Sequence, residues 1–159
     1  LVELTQGQLT VRWMPALAFL LAAVVSFSTG SSFSTMGLLI PLSISVTFHL
    51  LAPLNAAVPD HPLMLATIGA VLAGAIFGDH CSPISDTTVL SSAAAGCDHL
   101  NHVATQMPYA AFVAFVALLV GYLPIGLGYS VFWMLPIGLV VVVAGVRLLG
   151  RTPNGNAQT

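Results

Sequence analysis

Two long stretches of this chain carry no formal charge: no Asp, Glu, Lys or Arg occurs from Trp13 to Pro59, and none from His99 to Val146. Only 5% of the 159 residues are charged and 57% are hydrophobic, whereas a soluble domain carries roughly 25% charged residues. The bilayer is therefore the solvent for most of the chain. Lipid cannot satisfy open backbone groups, so spanning segments must close their own hydrogen bonds, and an all-α polytopic protein is expected. The net charge of −2 and the lack of any Lys/Arg run exclude a nucleic-acid partner. Cys81 and Cys97 are too few for a disulfide scaffold and read as two separate thiols.

Against that background one segment stands out. Phe77-Gly-Asp-His-Cys-Ser-Pro-Ile-Ser-Asp-Thr-Thr-Val-Leu-Ser-Ser92 puts two carboxylates, an imidazole, a thiol and several hydroxyls between apolar flanks. Pro83 removes a backbone donor and disfavours helix at Ser82, and Gly78 eases distorted backbone nearby. A break inside a spanning helix must line a cavity or lie within protein. Ionisable groups at that depth are functional candidates. The expected element is a broken helix over 62–97, with Asp86 as N-cap of the second half and Gly96 as its stop.

The remaining elements follow in order. Leu1 to Arg12 is a short polar entry, and Trp13 fits an interfacial anchor. Met14 to Phe27 is apolar but covers only ~21 Å at ~1.5 Å per residue, short of the ~30 Å hydrocarbon core. With Met36 to Ala52 it forms an expected re-entrant helical hairpin over 13–52, whose tip is the hydroxyl-rich Ser28 to Thr35. Two full spans joined by a surface loop are the alternative. Gly69 and Gly74 favour close helix packing after a loop at Pro53 to Pro62. Asp98 to Gln106 reads as a surface turn, followed by spans over 108–129 and 131–149 and a polar tail over 152–159. The chain begins at Leu1 without an initiator Met and shows no signal peptide, so a piece of a longer protein is expected.

Two polar tips separated by apolar arms suit a cation site. Hydroxyls and bared carbonyls are hard oxygen donors, and unwound helix ends that meet at the bilayer midplane coordinate Na⁺ or H⁺ in secondary transporters. The candidate carboxylate is Asp79, with Na⁺ bound there and H⁺ competing for the same group; Asp86 is second. Ser82, Ser85, Thr87 and Thr88 in the break, and Thr29, Ser31, Ser32, Ser34 and Thr35 in the tip, are candidate ligands. For any one of these hydroxyls, bonding back to its own helix is the competing role. His80 is a candidate proton acceptor, against a packed structural role. His99 and His102 are expected to face solvent. Cys97-Asp-His99 with His102, together with His80 and Cys81, gives a crude zinc pattern, but zinc motifs pair cysteines at shorter gaps than these two thiols. No nucleophile–base pair is evident, and adjacency of His80 and Cys81 does not place a base, so no enzyme and no cofactor are expected.

The break sequence from Gly78 to Ser92, with Cys97-Asp-His99 and Thr105-Gln-Met-Pro-Tyr109, resembles the NhaC-type Na⁺/H⁺ antiporter family within the ion-transporter superfamily. Gly30-Ser-Ser-Phe-Ser-Thr-Met-Gly37 with Pro41 looks like that family's second hairpin tip, although the usual pattern is closer to Gly-Thr-Ser-Trp-Gly-Thr. Ser31, Phe33 and Ser34 depart from it and leave ion choice open. The resemblance implies the second half of an inverted-repeat transporter over 1–151, completed by a missing N-terminal half and located in the bacterial inner membrane as a multi-pass protein. It implies exchange of Na⁺, or Li⁺, for H⁺ across the plasma membrane. An ion-coupled carrier of organic acids such as malate and lactate, or of amino acids, is the alternative, and a zinc-binding membrane assembly module the weaker one. The expected partners are Na⁺, H⁺, lipid and the missing half, with a homodimer left open.

Overall fold

The computed structural model describes the backbone of residues 2–149 and the side chains of 11–148; Arg151 and the expected tail over 152–159 lie outside the described residues. Every regular element among them is helical: α1 Val2–Thr29, α2 Ser32–Leu51, α3 Pro62–Cys81, α4 Asp86–Ala94, α5 His99–Val116, α6 Leu123–Gly126 and α7 Val131–Leu149. A single 3₁₀ turn, Ala52–Leu54, extends α2, and a π-helical stretch, Ala117–Tyr122, joins α5 to α6. Five segments are long and apolar enough to cross a membrane: Val11–Thr29, Ser32–Leu54, Pro62–Cys81, His99–Gly126 and Val131–Leu148.

The chain starts and stops its helices by local chemistry. Ser31 caps α2, its Oγ accepting from the Ser34 amide at 3.4 Å. His61 caps α3 and Pro62 opens it, where a missing amide costs nothing. Ser82 is extended (φ −78°, ψ 126°) because Pro83 follows, and α3 ends there. Gly96, with φ +64°, terminates the α4 segment.

One expectation of length and two about the start of the next span need correction. The Val11–Thr29 window has 19 residues, which at ~1.5 Å each comes to ~28 Å. The first arm is therefore long enough to cross, and shortness does not require it to be re-entrant. Asp98 to Gln106 is not a surface turn. Asp98 Oδ1 accepts from Asn101 N at 2.9 Å, and α5 begins at His99. Polar residues in a well-capped first turn had the look of a loop. Pro108, expected to open the span, lies inside α5; a membrane helix tolerates it when neighbours satisfy the freed carbonyl.

Packing is inside-out relative to a soluble bundle. The buried stripe of α2 is Thr35, Leu39, Ser43, Thr47 and Leu51, one residue per four, while Leu38, Leu42, Val46 and Phe48 face outward. The same holds on α1, where Ala18, Phe19, Ala22, Ala23 and Ser26 are buried and Leu17, Leu21 and Val24 are exposed. Lipid gives large apolar side chains no reason to turn inward, so helices meet through small and hydroxylic residues. The closest pair is α1 with α3. A Cβ on Gly78 would run into the Ala23 carbonyl and lie 2.7 Å from the Phe27 amide nitrogen. Gly78 thus serves close approach within a regular helix, not the distorted backbone expected of it. Ser26 Oγ donates to the Ala75 carbonyl at 2.6 Å across the same seam.

Candidate functional site

The break between α3 and α4 is only Ser82 to Ser85. The hairpin turn reaches it directly. Gly30 has φ +65°, and a Cβ there would sit 2.9 Å from the Ile84 carbonyl oxygen. Both the left-handed backbone and the close approach require glycine. Tip and break therefore touch, from segments some fifty residues apart.

Beneath that contact lies Asp79, in the last turn of α3 and 3% exposed. Its Oδ1 accepts from Ser85 Oγ at 2.7 Å, and its Oδ2 from Thr87 Oγ1 at 2.9 Å and Ser32 Oγ at 3.3 Å. These three partners are neutral hydroxyls, two from the break side and one from the hairpin. The Asp79 carbonyl accepts from Ser82 N at 3.2 Å and from Thr88 Oγ1 at 3.4 Å. Ser85 Oγ and Thr87 Oγ1 also lie 2.8 Å apart. Asp79 Oδ1, Ser85, Thr87 and Asp79 Oδ2 thus close a ring.

The other candidates divide clearly. Ser82 is fully buried, but its Oγ accepts from Ile84 N at 3.4 Å, shaping the turn. The N-cap of α4 is Ser85, not Asp86. Asp86 is the first helical residue, exposed, and accepts from Thr87 N at 2.8 Å. A cap needs extended backbone, which Ser85 has and Asp86 lacks. In the tip, only Ser32 reaches Asp79. Thr29 donates to Val25 O at 2.9 Å, Thr35 to Ser31 O at 2.9 Å, and Ser31 and Ser34 bond each other at 3.1 Å. His80 is exposed, with Nδ1 3.0 Å from Ile76 O of its own helix. It lines a polar groove of about 410 Å³ with Thr87, Thr88, Ser91, His102 and Gln106.

The histidines of α5 do not simply face solvent. His99 is partly buried, its Nε2 2.6 Å from the Pro83 carbonyl and its Nδ1 3.1 Å from Ser92 Oγ. His102 Nε2 lies 3.3 Å from Ser91 Oγ. The grip of His99 on Pro83 spans sixteen residues, and only the recurrence of polar residues just after α4 hinted at it. The zinc alternative finds no site. Among the described residues no three His, Cys, Asp or Glu side chains gather to hold a metal, and Cys81 and Cys97 are both free thiols.

By class, then, this is a helical multi-pass membrane fold in which a broken helix buries a carboxylate against the tip of a helical hairpin. The profile of the Na⁺/H⁺ antiporter family matches residues 1–127, and the chain belongs to that family, as the NhaC-type motif from Gly78 to Ser92 led one to expect. It is accordingly a multi-pass protein of the plasma membrane. An uncharacterised protein of Haemophilus influenzae is 40% identical over 150 residues, covering 92% of this chain and 27% of the relative. The Na⁺/H⁺ antiporter NhaC of Alkalihalophilus pseudofirmus is 33% identical over 115 residues, 72% of this chain and 22% of that protein. The malate-2H⁺/Na⁺-lactate antiporter of Bacillus subtilis is 34% identical over 111 residues, 70% and 21% respectively. The chain thus spans about a quarter of the length of these relatives. No solved structure matches it.

Proposed function

We propose that this chain is the second repeat of an inverted-repeat carrier that exchanges Na⁺ for H⁺, and that Asp79 is the carboxylate the two ions share. The observation that carries this is a buried carboxylate held by three neutral hydroxyls drawn from two separate segments. A buried charge without a counter-charge is costly, and it is relieved by taking up a cation or a proton.

The ring of Asp79, Ser85 and Thr87 suits both occupants. Each hydroxyl has one proton. With the carboxylate ionised, Ser85 donates to Oδ1 and Thr87 to Oδ2, which leaves no proton between the two hydroxyl oxygens. Their lone pairs and the carboxylate then form an oxygen cluster for a hard cation, to which Ser32 Oγ adds the hairpin's contribution. With the carboxyl protonated, its O–H donates to Ser85, Ser85 to Thr87, and Thr87 to Oδ2. The same atoms are satisfied either way, so exchange needs hydroxyl rotations and no rebuilding.

Depth is part of the proposal: the nine residues of α4 reach only ~14 Å, too short to cross a ~30 Å core alone, and the carrier reading sets α3, the break and α4 within one crossing. The groove lined by His80, Thr87, Thr88, Ser91, His102 and Gln106 is the aqueous way in, since Thr87 and Thr88 border both it and Asp79.

Na⁺-dependent proton flux in vesicles containing the full-length protein tests the proposal. Exchange is expected in the wild type and none in Asp79→Asn; undiminished exchange in that variant removes Asp79 from the mechanism. The Bacillus subtilis relative supports a second reading, coupling to a small carboxylic acid. Malate or lactate that stimulates the Na⁺ flux would establish it, and flux indifferent to both would dismiss it.

A further inference from the structure

We propose that His99 is a positioning residue for this cation site: by holding the Pro83 carbonyl from α5, it fixes the aim of Ser85 and Thr87 at Asp79. The inference rests on the carrier reading above.

The break has little to hold its own shape. Its local hydrogen bonds are Ser82 N to Asp79 O at 3.2 Å, Ser85 N to Ser82 O at 3.3 Å and Ile84 N to Ser82 Oγ at 3.4 Å. Pro83 has no amide to contribute. Its carbonyl stands outside both helices, and His99 Nε2 meets it at 2.6 Å. A carbonyl only accepts, so Nε2 carries a proton. Nδ1 faces Ser92 Oγ at 3.1 Å, and Ser92 is buried in α4, its hydroxyl also 2.9 Å from Val89 O. The ring is thereby fixed on two sides, to the apex of the break and to the helix that follows it. His99 itself is anchored as the first residue of α5, immediately after the Asp98 cap.

Gly30 of the hairpin packs close to the adjoining Ile84 carbonyl, near enough that a Cβ there would sit 2.9 Å from its oxygen. Two neighbouring peptides of the break therefore face different elements, one packed against the hairpin and one hydrogen-bonded from α5. Ser85 and Thr87 follow Pro83 by two and four residues, so the peptide His99 holds sets where their hydroxyls point. Partners of this kind, one layer behind the ligands, govern how well a site holds its ion.

The test is Na⁺-dependent proton flux by the full-length protein with His99→Phe and His99→Gln. H99F keeps the ring volume without the donor, and H99Q keeps a donor able to reach Pro83. H99F is expected to raise the half-saturating Na⁺ concentration about tenfold or more with the maximal rate within about twofold, and H99Q to stay within about threefold of wild type. Equal Na⁺ affinity in H99F and wild type, or equal loss in both variants, overturns the proposal. Where H99F does not accumulate, H99N, polar but too short, replaces it with the same expected direction. Amide exchange over residues 84–88 is read alongside. It should quicken in H99F and not in H99Q, and no change in H99F overturns the proposal. If the wild type shows no Na⁺-dependent flux, the carrier reading fails by itself, and amide exchange alone still decides whether His99 holds the break.

Discussion

Asp79 and Asp86 are the same side chain seven positions apart, and their surroundings give them different work. Asp79 lies in the last turn of a long apolar helix and is enclosed by hydroxyls, whereas Asp86 opens α4 toward the outside. Asp86→Asn is therefore expected to keep exchange where Asp79→Asn loses it. Ser85 has two tasks, donor to Oδ1 and cap of α4. Ser85→Ala removes a charge-assisted hydrogen bond, worth roughly 1.5–3 kcal/mol, and a cap worth ~1 kcal/mol. Its half-saturating Na⁺ concentration should rise about tenfold or more, since ~1.4 kcal/mol is tenfold in affinity. Ser34→Ala, whose hydroxyl bonds only Ser31, should leave that value unchanged. At this scale the sequence was legible in kind but not in aim. It named Asp79 and the hydroxyl-rich segments, yet four of the five tip hydroxyls are satisfied locally: Thr29 and Thr35 turn back to a carbonyl one turn earlier, and Ser31 and Ser34 pair with each other at the start of α2.

Elements were easier to read than their ends. The break appeared where Pro83 forces Ser82 out of helix, and the hairpin turned where Gly30 permits φ +65°. What misled was polarity: Asp98 to Gln106 looked like a loop because Asp, Asn and His are loop residues, yet Asp98 is a cap and the rest its first turns. Gly78 misled in the opposite way. It stands beside the break in sequence, but what it permits is contact between α1 and α3. Gly78→Ala should lower stability by ~1–3 kcal/mol, as overpacking against backbone does. Gly37, on the open face of α2 with no heavy atom within 4 Å of an added Cβ, should gain up to ~1 kcal/mol as Gly37→Ala. Thermal unfolding in detergent distinguishes them. Equal shifts for both glycines would mean that the α1–α3 seam is looser than its geometry.

For the whole molecule, charge alone placed the chain in lipid, and no periodicity could have shown how the helices face one another. The hydroxyl stripe of α2 carries no more polarity than its exposed face carries apolarity, and only packing distinguishes them. Water and lipid sides can nevertheless be told apart chemically, because a thiol reacts as its thiolate, which needs water. Ser91 lines the polar groove beside Thr87 and Thr88, while Val140 is exposed midway along α7, one of the segments apolar enough to cross a membrane. With Cys97→Ser removing the exposed native thiol and Cys81 buried, each engineered cysteine can be followed alone. Ser91→Cys should react with a membrane-impermeant maleimide at least about tenfold faster than Val140→Cys. Na⁺ should slow the first reaction and leave the second alone, because a cation at Asp79 draws Thr87 and closes the floor of the groove. If Val140→Cys labels as readily, that part of α7 does not face lipid. If Na⁺ has no effect at Ser91→Cys, the groove does not lead to Asp79, and the ions must reach the carboxylate past the hairpin tip.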